Sequence, residues 1–349
     1  MRRLLTVLLL FGFVTPAAAL LDEAVYRAEV AVEDHGAREL NRAVRAGLAQ
    51  VLVKLSGSSK VLANEQIRGA LGSGRNYLQQ YQYRRADDGE LRLVIVFDRE
   101  PVMQILIDAG QPVWANQRPR LLVWMVVDGA AARSFGNTAG SASLRRELRE
   151  GFSRRALPVS FPLYDLQDNL ALDVQDLWEL DSPSIVRASQ RYRAEHVLVA
   201  RLSVDSQGRW TGDWLYLDAQ GSSAVSLHTA DDHVAAGAGV SLAAETMAAR
   251  YALQPSAVSR AGLLVRVDGL QRYTDYRQVL NHMQGLELVE DARLEFLQGE
   301  SAIFRLQVKL QEQQLQRLLT LKGKLEPSRP AEPLRAASAE PGLAYRWLP

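Results

Sequence analysis

The sequence predicts a multidomain protein of the α/β and α+β classes, in which a central α/β sheet domain is flanked by a small α+β N-terminal domain and a ferredoxin-like C-terminal domain. The first observation is the unbroken apolar run over residues 121–127, between Pro119 and Gly129, which is typical of a strand buried on both faces. The second is the pair of turn-forming segments Gly-Gln-Pro at 110–112 and Gln-Pro-Ser at 254–256, which divide the chain. The third is the strand–helix–strand–strand–helix–strand pattern after the second division, the order of a ferredoxin-like domain.

The chain begins with the pattern of a secretory signal peptide. Basic residues within 1–3 precede an apolar run at 4–14 and a small-residue site at 17–19, which predicts cleavage after Ala19 and export to the periplasm. The apolar run is shorter than the roughly 20 residues that cross a bilayer, and we expect no integral membrane segment in the mature chain. The sequence has no cysteine, which excludes disulfides and thiolate metal sites.

Composition and loop sequence give the expected domain limits. A hydrophobic share of 47% is enough for packed cores, and a formal net charge of +1 argues against a nucleic-acid partner. We expect a signal peptide at 1–19, an N-terminal α+β domain at 20–115, a central α/β domain at 116–255, a ferredoxin-like domain at 260–327 and a disordered tail at 328–349, rich in Pro, Ala and Glu.

In the N-terminal domain, apolar residues recur every three or four positions after Asp34, which predicts a helix capped by Asp34 and ended by Gly57. Strands are predicted at 24–32, 77–85 and 90–97, and a further helix at 100–109. Ser56 and Lys60 raise the alternative of a Ser–Lys nucleophile. Their spacing is not Ser-x-x-Lys, and the segment is typical of a turn after a helix.

In the central domain, the apolar strand is followed by a predicted helix at 141–156, a strand at 158–163, a helix at 184–193, a strand at 196–202, a hairpin at 209–218 and 223–229, and a helix at 234–252. In the third domain we predict strands at 263–267, 286–297, 301–310 and 324–326, with helices at 273–283 and 313–321.

One face of the predicted hairpin carries Trp210, Trp214 and Tyr216, because side chains alternate along a strand. Two interpretations follow. The rings could form an exposed platform for a ligand, which makes them the candidate partner-binding residues. They could instead be the surface on which the helix at 234–252 packs, and core packing is the favoured interpretation.

Two polar clusters suggest metal ligands. The first is the acidic loop formed by Asp165, Asp168, Asp173, Asp176 and Asp181. It lacks the alternating spacing and Gly of an EF-hand, and its members are also typical helix caps. The second is the segment 228–233, where His228, Asp231, Asp232 and His233 stand at a strand-to-helix transition. Asp231 and Asp232 are expected there as N-terminal helix caps, which is the favoured interpretation. We predict no metal site and no cofactor.

The sequence contains no catalytic motif and no Gly-Lys-Ser/Thr phosphate loop. We therefore predict a non-enzymatic protein of the cell envelope, an accessory or assembly factor that binds another envelope protein or a cell-wall component. The alternative is an exported hydrolase whose acid and base come from loops, with Asp165, Asp168 and His228 as candidates.

Several segments carry a resemblance to a family. They are residues 51–57, 118–124, 194–202, 208–214 and 322–325, together with the secretory start. In these the chain resembles the uncharacterised gammaproteobacterial exported envelope proteins grouped as DUF2066. The resemblance implies an envelope location and a similar architecture, and it implies no activity and no site residues.

Overall fold

The computed structural model describes residues 24–86, 89–114, 118–130, 132–256, 262–286, 288–320, 323–329 and 341–348, and within them the strands form three sheets. The mixed α/β, multidomain class is confirmed. The predicted signal peptide lies outside the described residues. Among the described residues, no helix has the length and apolar character needed to cross a bilayer.

The first sheet is antiparallel, in the order β1-β3-β2. Its elements are β1 (Arg27–Ala31), β2 (Leu78–Arg85) and β3 (Leu91–Phe97), with helices α1 (Ala37–Ser56), α2 (Glu65–Gly72) and α3 (Arg99–Asp108). Helix α1 ends at Gly57, whose φ of 77° is the left-handed conformation predicted for it. Its N-cap is Gly36 rather than Asp34, because the Asp34 carboxylate accepts from the Gly36 N–H (2.6 Å).

The second sheet has the order β5-β4-β7-β8-β9, and the short strand β6 also pairs with β4. Its strands are β4 (Leu121–Asp128), β5 (Arg133–Phe135), β6 (Val159–Ser160), β7 (His196–Val204), β8 (Trp210–Asp218) and β9 (Gly221–Thr229). The helices around it are α4 (Ala142–Arg154), α5 (Leu166–Ala171), α6 (Val174–Glu179), α7 (Ser182–Ser189) and α8 (Asp232–Tyr251). Strands β4 and β7 are parallel, and the β7–β8–β9 pairs are antiparallel.

Strand β4 is covered on both faces, as its apolar run predicts. Alternate residues from Leu121 to Val127 pack with α4 and α8, and those between them pack with residues of α6 and α7. Trp124 is fully buried, and its indole N–H donates to Ser189 Oγ (3.0 Å). The predicted strand at 158–163 is much shorter than expected. Pro162 has no N–H for a ladder, and Tyr164 turns the chain at a φ of 53°.

The third sheet has the order β11-β12-β10-β14-β13. It consists of β10 (Leu263–Asp268), β11 (Val289–Gln298), β12 (Ser301–Val308), β13 (Leu325–Pro327) and β14 (Leu343–Trp347), with helices α9 (Tyr273–Gln284) and α10 (Glu312–Thr320). The predicted element order is present through β13. The arrangement departs from the ferredoxin-like expectation because β14 lies between β10 and β13, parallel to β10.

Strand β14 corrects the prediction that the whole of 328–349 is a disordered tail. Leu343, Tyr345 and Trp347 alternate along it and are 5%, 2% and 3% exposed. This period-two pattern buries one face of the segment against the third-sheet core. Burial of three large apolar residues outweighs the ordering cost of a short strand, even within a segment rich in Pro and Ala.

The sheets are joined by backbone contacts. Val113 and Leu253, which flank the second sheet in sequence, exchange both N–H···O bonds (2.8 and 2.7 Å). The Trp114 N–H donates to the Leu55 carbonyl (2.6 Å) at the end of α1. Buried side chains of the first and third sheets form one continuous cluster. The segments between sheets therefore form part of the packed structure.

Candidate functional site

The aromatic face of the β8–β9 hairpin is covered by helix α8. Trp210, Trp214 and Tyr216 are 3%, 0% and 0% exposed. The Trp210 indole donates to Asp232 Oδ1 (2.6 Å), and the Trp214 indole donates to the Ala235 carbonyl (3.0 Å). These residues do not form an exposed platform, and the candidate partner-binding assignment is corrected accordingly. Helix α8 carries mostly small side chains on its buried face, and the large rings fill the space beneath it.

The acidic loop supplies helix caps. Asp165, Asp173 and Asp181 accept from the backbone N–H groups three residues ahead, at 3.0, 2.7 and 3.2 Å, and so cap α5, α6 and α7. Each cap satisfies a donor that the first turn of a helix leaves free. The capping interpretation of these carboxylates is therefore confirmed. In the described part of the chain, no group of three or more His, Cys, Asp or Glu side chains is arranged to hold a metal ion.

Asp168 is the centre of a buried clamp that fixes helix α5. Its carboxylate is 1% exposed and accepts from Arg191 Nη1 (2.8 Å), the Tyr192 hydroxyl (2.6 Å) and the Tyr164 N–H (2.8 Å). Arg191 also binds both oxygens of Asp165 (2.6 and 2.7 Å), and this pairing holds the pKa of Asp165 well below its usual range. Helix α5 is therefore bound to the chain segment after α7 by charge-assisted bonds.

The same clamp reaches the central strand. The Tyr164 hydroxyl accepts from the backbone N–H of Met125 on β4 (3.1 Å). The Tyr192 hydroxyl accepts from the Leu163 N–H (2.9 Å). Burial raises the pKa of the Tyr164 hydroxyl, so the oxygen that accepts from the Met125 N–H belongs to a neutral phenol. The segment 163–171 is thus anchored at several points, although it belongs to a connection between strands.

Three leucines of this anchored segment face water. Leu163, Leu166 and Leu170 are 69%, 75% and 81% exposed. Leu166 and Leu170 are four residues apart on α5, so they lie on the same helical face. Helix α7 packs beside α5 and carries Val186, which is 47% exposed. We call Leu163, Leu166 and Leu170 the leucine surface. The three leucines lie within eight residues of the chain, and contiguous exposure of apolar side chains marks interaction surfaces.

The histidines of the 228–233 segment lie apart from each other. The His228 ring contacts Thr211 Oγ1 (2.7 Å), and His233 Nδ1 contacts Glu147 Oε2 (3.0 Å) on α4. Asp231 caps α8 by accepting from the His233 N–H (2.7 Å), as the capping interpretation predicts. The hydrolase candidates are likewise separated, because Asp165 and Asp168 bind Arg191 whereas His228 binds a threonine of its own hairpin.

A buried histidine that the sequence analysis did not single out lies at the start of β7. His196 is 3% exposed, with Nδ1 2.7 Å from the Tyr216 hydroxyl and Nε2 2.9 Å from the Tyr251 hydroxyl. The Tyr216 hydroxyl donates to Asp218 (3.0 Å), which also pairs with Arg250. Since the single Tyr216 proton goes to Asp218, His196 Nδ1 is the donor to Tyr216 and Nε2 accepts from Tyr251.

This assignment corresponds to a neutral imidazole with every polar atom paired. Burial lowers the pKa of His196, in agreement with the neutral form. The network joins the C-terminal turn of α8 to the ends of two strands. The side chains of this network bond to one another, so we assign the network a structural role. The polar position at the start of an apolar strand was the signal in the sequence, but its partners are 20 or more residues away.

A groove lies between α3 and the segment from α9 to β11, with a volume of about 710 Å³. Its lining is mixed, with the apolar Met103, Ile107 and Leu288 beside charged and amide side chains. Lys309 in this groove donates to Glu290 Oε1 (2.6 Å) and to Gln104 Oε1 (3.0 Å). These side chains bond to one another, so we assign them no role in hydrolysis.

Comparison with known families gives one partial match. Residues 19–115 match the family model described as a domain of unknown function, DUF8605. This range contains the first sheet with α1 to α3, and it covers less than half of the chain. Neither a curated protein nor a solved structure matches the chain.

This match overturns the resemblance to DUF2066, which no comparison supports. The segments that carried the resemblance explain the error. Residues 51–57 end helix α1, and residues 118–124, 194–202 and 208–214 lead into or form β4, β7 and β8. Their apolar patterns are those of any helix end or buried strand in an α/β protein, so they are not specific to one family.

Proposed function

We propose that this chain is an exported, non-enzymatic periplasmic protein that binds another envelope protein through the leucine surface. The observation that carries the proposal is the exposure of Leu163, Leu166 and Leu170 on a segment whose anchors are buried and paired. An exposed leucine on a loose loop can fold back on the protein. Here the clamp around Asp168 holds the three side chains in place.

The chemistry of the surface favours a protein partner over a cell-wall polysaccharide. Leucine side chains offer neither hydrogen bonds for sugar hydroxyls nor an aromatic face for stacking. They favour binding only through the removal of their apolar surface from water. Burying a leucine side chain contributes roughly 1.5–3 kcal/mol, part of which offsets the entropy lost on association. A small leucine surface of this type suits a reversible contact with an apolar segment of another protein.

Export rests on the sequence pattern of residues 1–19. A charged start, an apolar run and a small-residue site form the signal that the secretion machinery reads. The proposal of an envelope partner follows from this compartment. A reporter fused after residue 30 should be exported, and the same fusion lacking residues 2–19 should stay in the cytoplasm.

Site-specific photo-crosslinking tests the binding surface. A photoreactive amino acid at Leu163 should give a discrete crosslinked protein in intact cells. The double variant Leu166→Ser/Leu170→Ser should remove that product, because the neighbouring contact area is lost. Since both leucines are exposed, the double variant should melt close to the wild type, with each change within about 0.5 kcal/mol.

The control is the same photoreactive amino acid at Gln313, an exposed polar position on α10. It should give no such product. Equal products at both positions, or a product at 163 that survives the double substitution, would contradict binding through the leucine surface.

A further inference from the structure

A cavity lies where the first and second sheets meet, and we call it the junction cavity. Strand β1 and helix α1 form one side of it, and the end of α4 with β6 forms the other. Its volume is about 420 Å³, within the range of small-molecule sites. We propose that the junction cavity binds a small amphiphilic anion, a molecule with one phosphate or carboxylate head and a short apolar body.

Lys54 is the main reason for assigning a negative charge to the ligand. It lines the cavity and is 7% exposed, and its ammonium donates to the carbonyls of Arg27 (2.5 Å) and Ala24 (3.3 Å). Both acceptors are neutral. Within the described part of the chain, no carboxylate lies within salt-bridge distance of Lys54. A buried ammonium without a counter-charge is unfavourable, so a bound anion would supply the missing partner.

The surrounding charges strengthen the positive potential. Burial, together with the positive charges of Arg118 and Arg27, lowers the pKa of Lys54 to about 8. The group still carries a proton at neutral pH. Arg149 and Arg154 also line the cavity. The acid among the described lining residues is Glu29, which is already paired with two arginines of the first sheet, at 2.8 and 3.6 Å.

Apolar side chains form much of the remaining wall, and they are the reason for giving the ligand an apolar body. Ala28, Ala156, Leu157, Pro158 and Val159 contribute to it. A bare inorganic anion would leave this surface in contact with water, whereas a short alkyl chain would cover it. The cavity volume limits the occupant to a small molecule or the end of a larger one.

Titration of the lysines tests the proposal directly. The sequence has only five lysines, so a protein labelled with ¹³C at lysine Cε gives five resolvable signals, and Lys54 is the one expected to titrate near pH 8. Added butyl phosphate should raise the pKa of Lys54 by about one unit or more, because a nearby negative charge favours the ammonium. Inorganic phosphate should produce the shift only at higher concentration, and butanol should produce none.

Substitution of Lys54 provides a second test of the proposal. Lys54→Met should weaken butyl phosphate binding at least about tenfold, as measured by calorimetry, because the charge-assisted bond is lost. Lys60→Met is the matched control, since Lys60 is exposed and pairs with Glu245 (3.6 Å) outside the cavity. It should bind like the wild type.

Two results would overturn the proposal. One is a Lys54 signal whose titration does not respond to butyl phosphate at millimolar concentration, a measurement that needs only the wild-type chain. The other is equal affinity for inorganic phosphate and butyl phosphate, which would show that the apolar wall contributes nothing.

Discussion

His196 is a buried polar side chain whose hydrogen-bond partners bear on its protonation. Both ring nitrogens lie within hydrogen-bond distance of tyrosine hydroxyls, and the neutral imidazole satisfies the arrangement in full. Protonation would add a second donor at Nε2, and burial of the ring disfavours the charged form. The folded state therefore resists taking up a proton that the unfolded chain accepts near pH 6.5.

The stability of the protein should depend on pH through this residue. Because the folded pKa of His196 is lowered, its contribution is complete above about pH 6.5 and is lost as the pH falls toward the folded value. Relative to His196→Gln, the wild type should lose up to about 1.4 kcal/mol for each pH unit in that window. Urea denaturation at a series of pH values measures the difference.

His228→Gln is the control, because it removes an exposed histidine from the neighbouring hairpin. The decisive quantity is the pH dependence of the difference between variant and wild type, since His196→Gln also changes the stability at every pH. Parallel curves for the wild type and His196→Gln would show that His196 is not held neutral.

Among the elements, β14 departs most from what the sequence alone predicts. It pairs with both β10 and β13, so it supplies two ladders to the third sheet. Without β14, β13 would have no neighbour in that sheet, and β10 would lose the strand paired along one of its edges. The segment 343–347 is therefore part of the fold although it stands at the end of a Pro-rich stretch.

Tyr345→Ala should destabilise the third sheet by about 3–5 kcal/mol, because the ring is 2% exposed and its loss leaves a cavity. Arg346→Ala is the matched control on the next position of the same strand, where the side chain faces water, and it should change the free energy of unfolding by less than about 0.5 kcal/mol. Chemical denaturation monitored by tryptophan fluorescence gives both values. If Tyr345→Ala unfolds like Arg346→Ala, β14 is not packed on the sheet.

The sequence predicts most elements because periodicity is a local property. Helix α1, strand β4 and the β8–β9 hairpin were each expected within a few residues of where they lie. The errors have physical causes that are not local. Pro162 and the left-handed Tyr164 shorten β6. The burial of β14 depends on its position between β10 and β13 in the third sheet, which periodicity alone does not reveal.

The candidate sites were harder to predict for the same reason. Lys54 stands beside Leu55 in an otherwise apolar helix face, and only the tertiary structure shows that its ammonium reaches the carbonyl of Arg27. The leucine surface looks in sequence like an ordinary amphipathic turn. Its exposure follows from the clamp between Asp168 and Arg191, which are 23 residues apart.

In the molecule as a whole, the first and second sheets meet at Gly57. This glycine ends helix α1 at a φ of 77°, with no space for a side chain. A Cβ there would lie 2.6 Å from the Trp114 ring and would also clash with the Ala248 side chain of α8. Glycine is therefore needed at position 57 for two reasons: the left-handed backbone conformation and the close contact between the sheets.

Comparison with Gly208 distinguishes the backbone effect from the packing effect. It has nearly the same conformation, with a φ of 75°, but no atom lies within 4 Å of the position of its Cβ. Gly208→Ala should therefore cost only the left-handed backbone strain, about 1–2 kcal/mol. Gly57→Ala should cost that amount plus about 1–3 kcal/mol for the overpacked contact. Urea denaturation of the full chain measures both, and limited proteolysis should cut Gly57→Ala faster between the first and second sheets. Equal destabilisation by the two substitutions would show that the sheets are not packed against each other at this point.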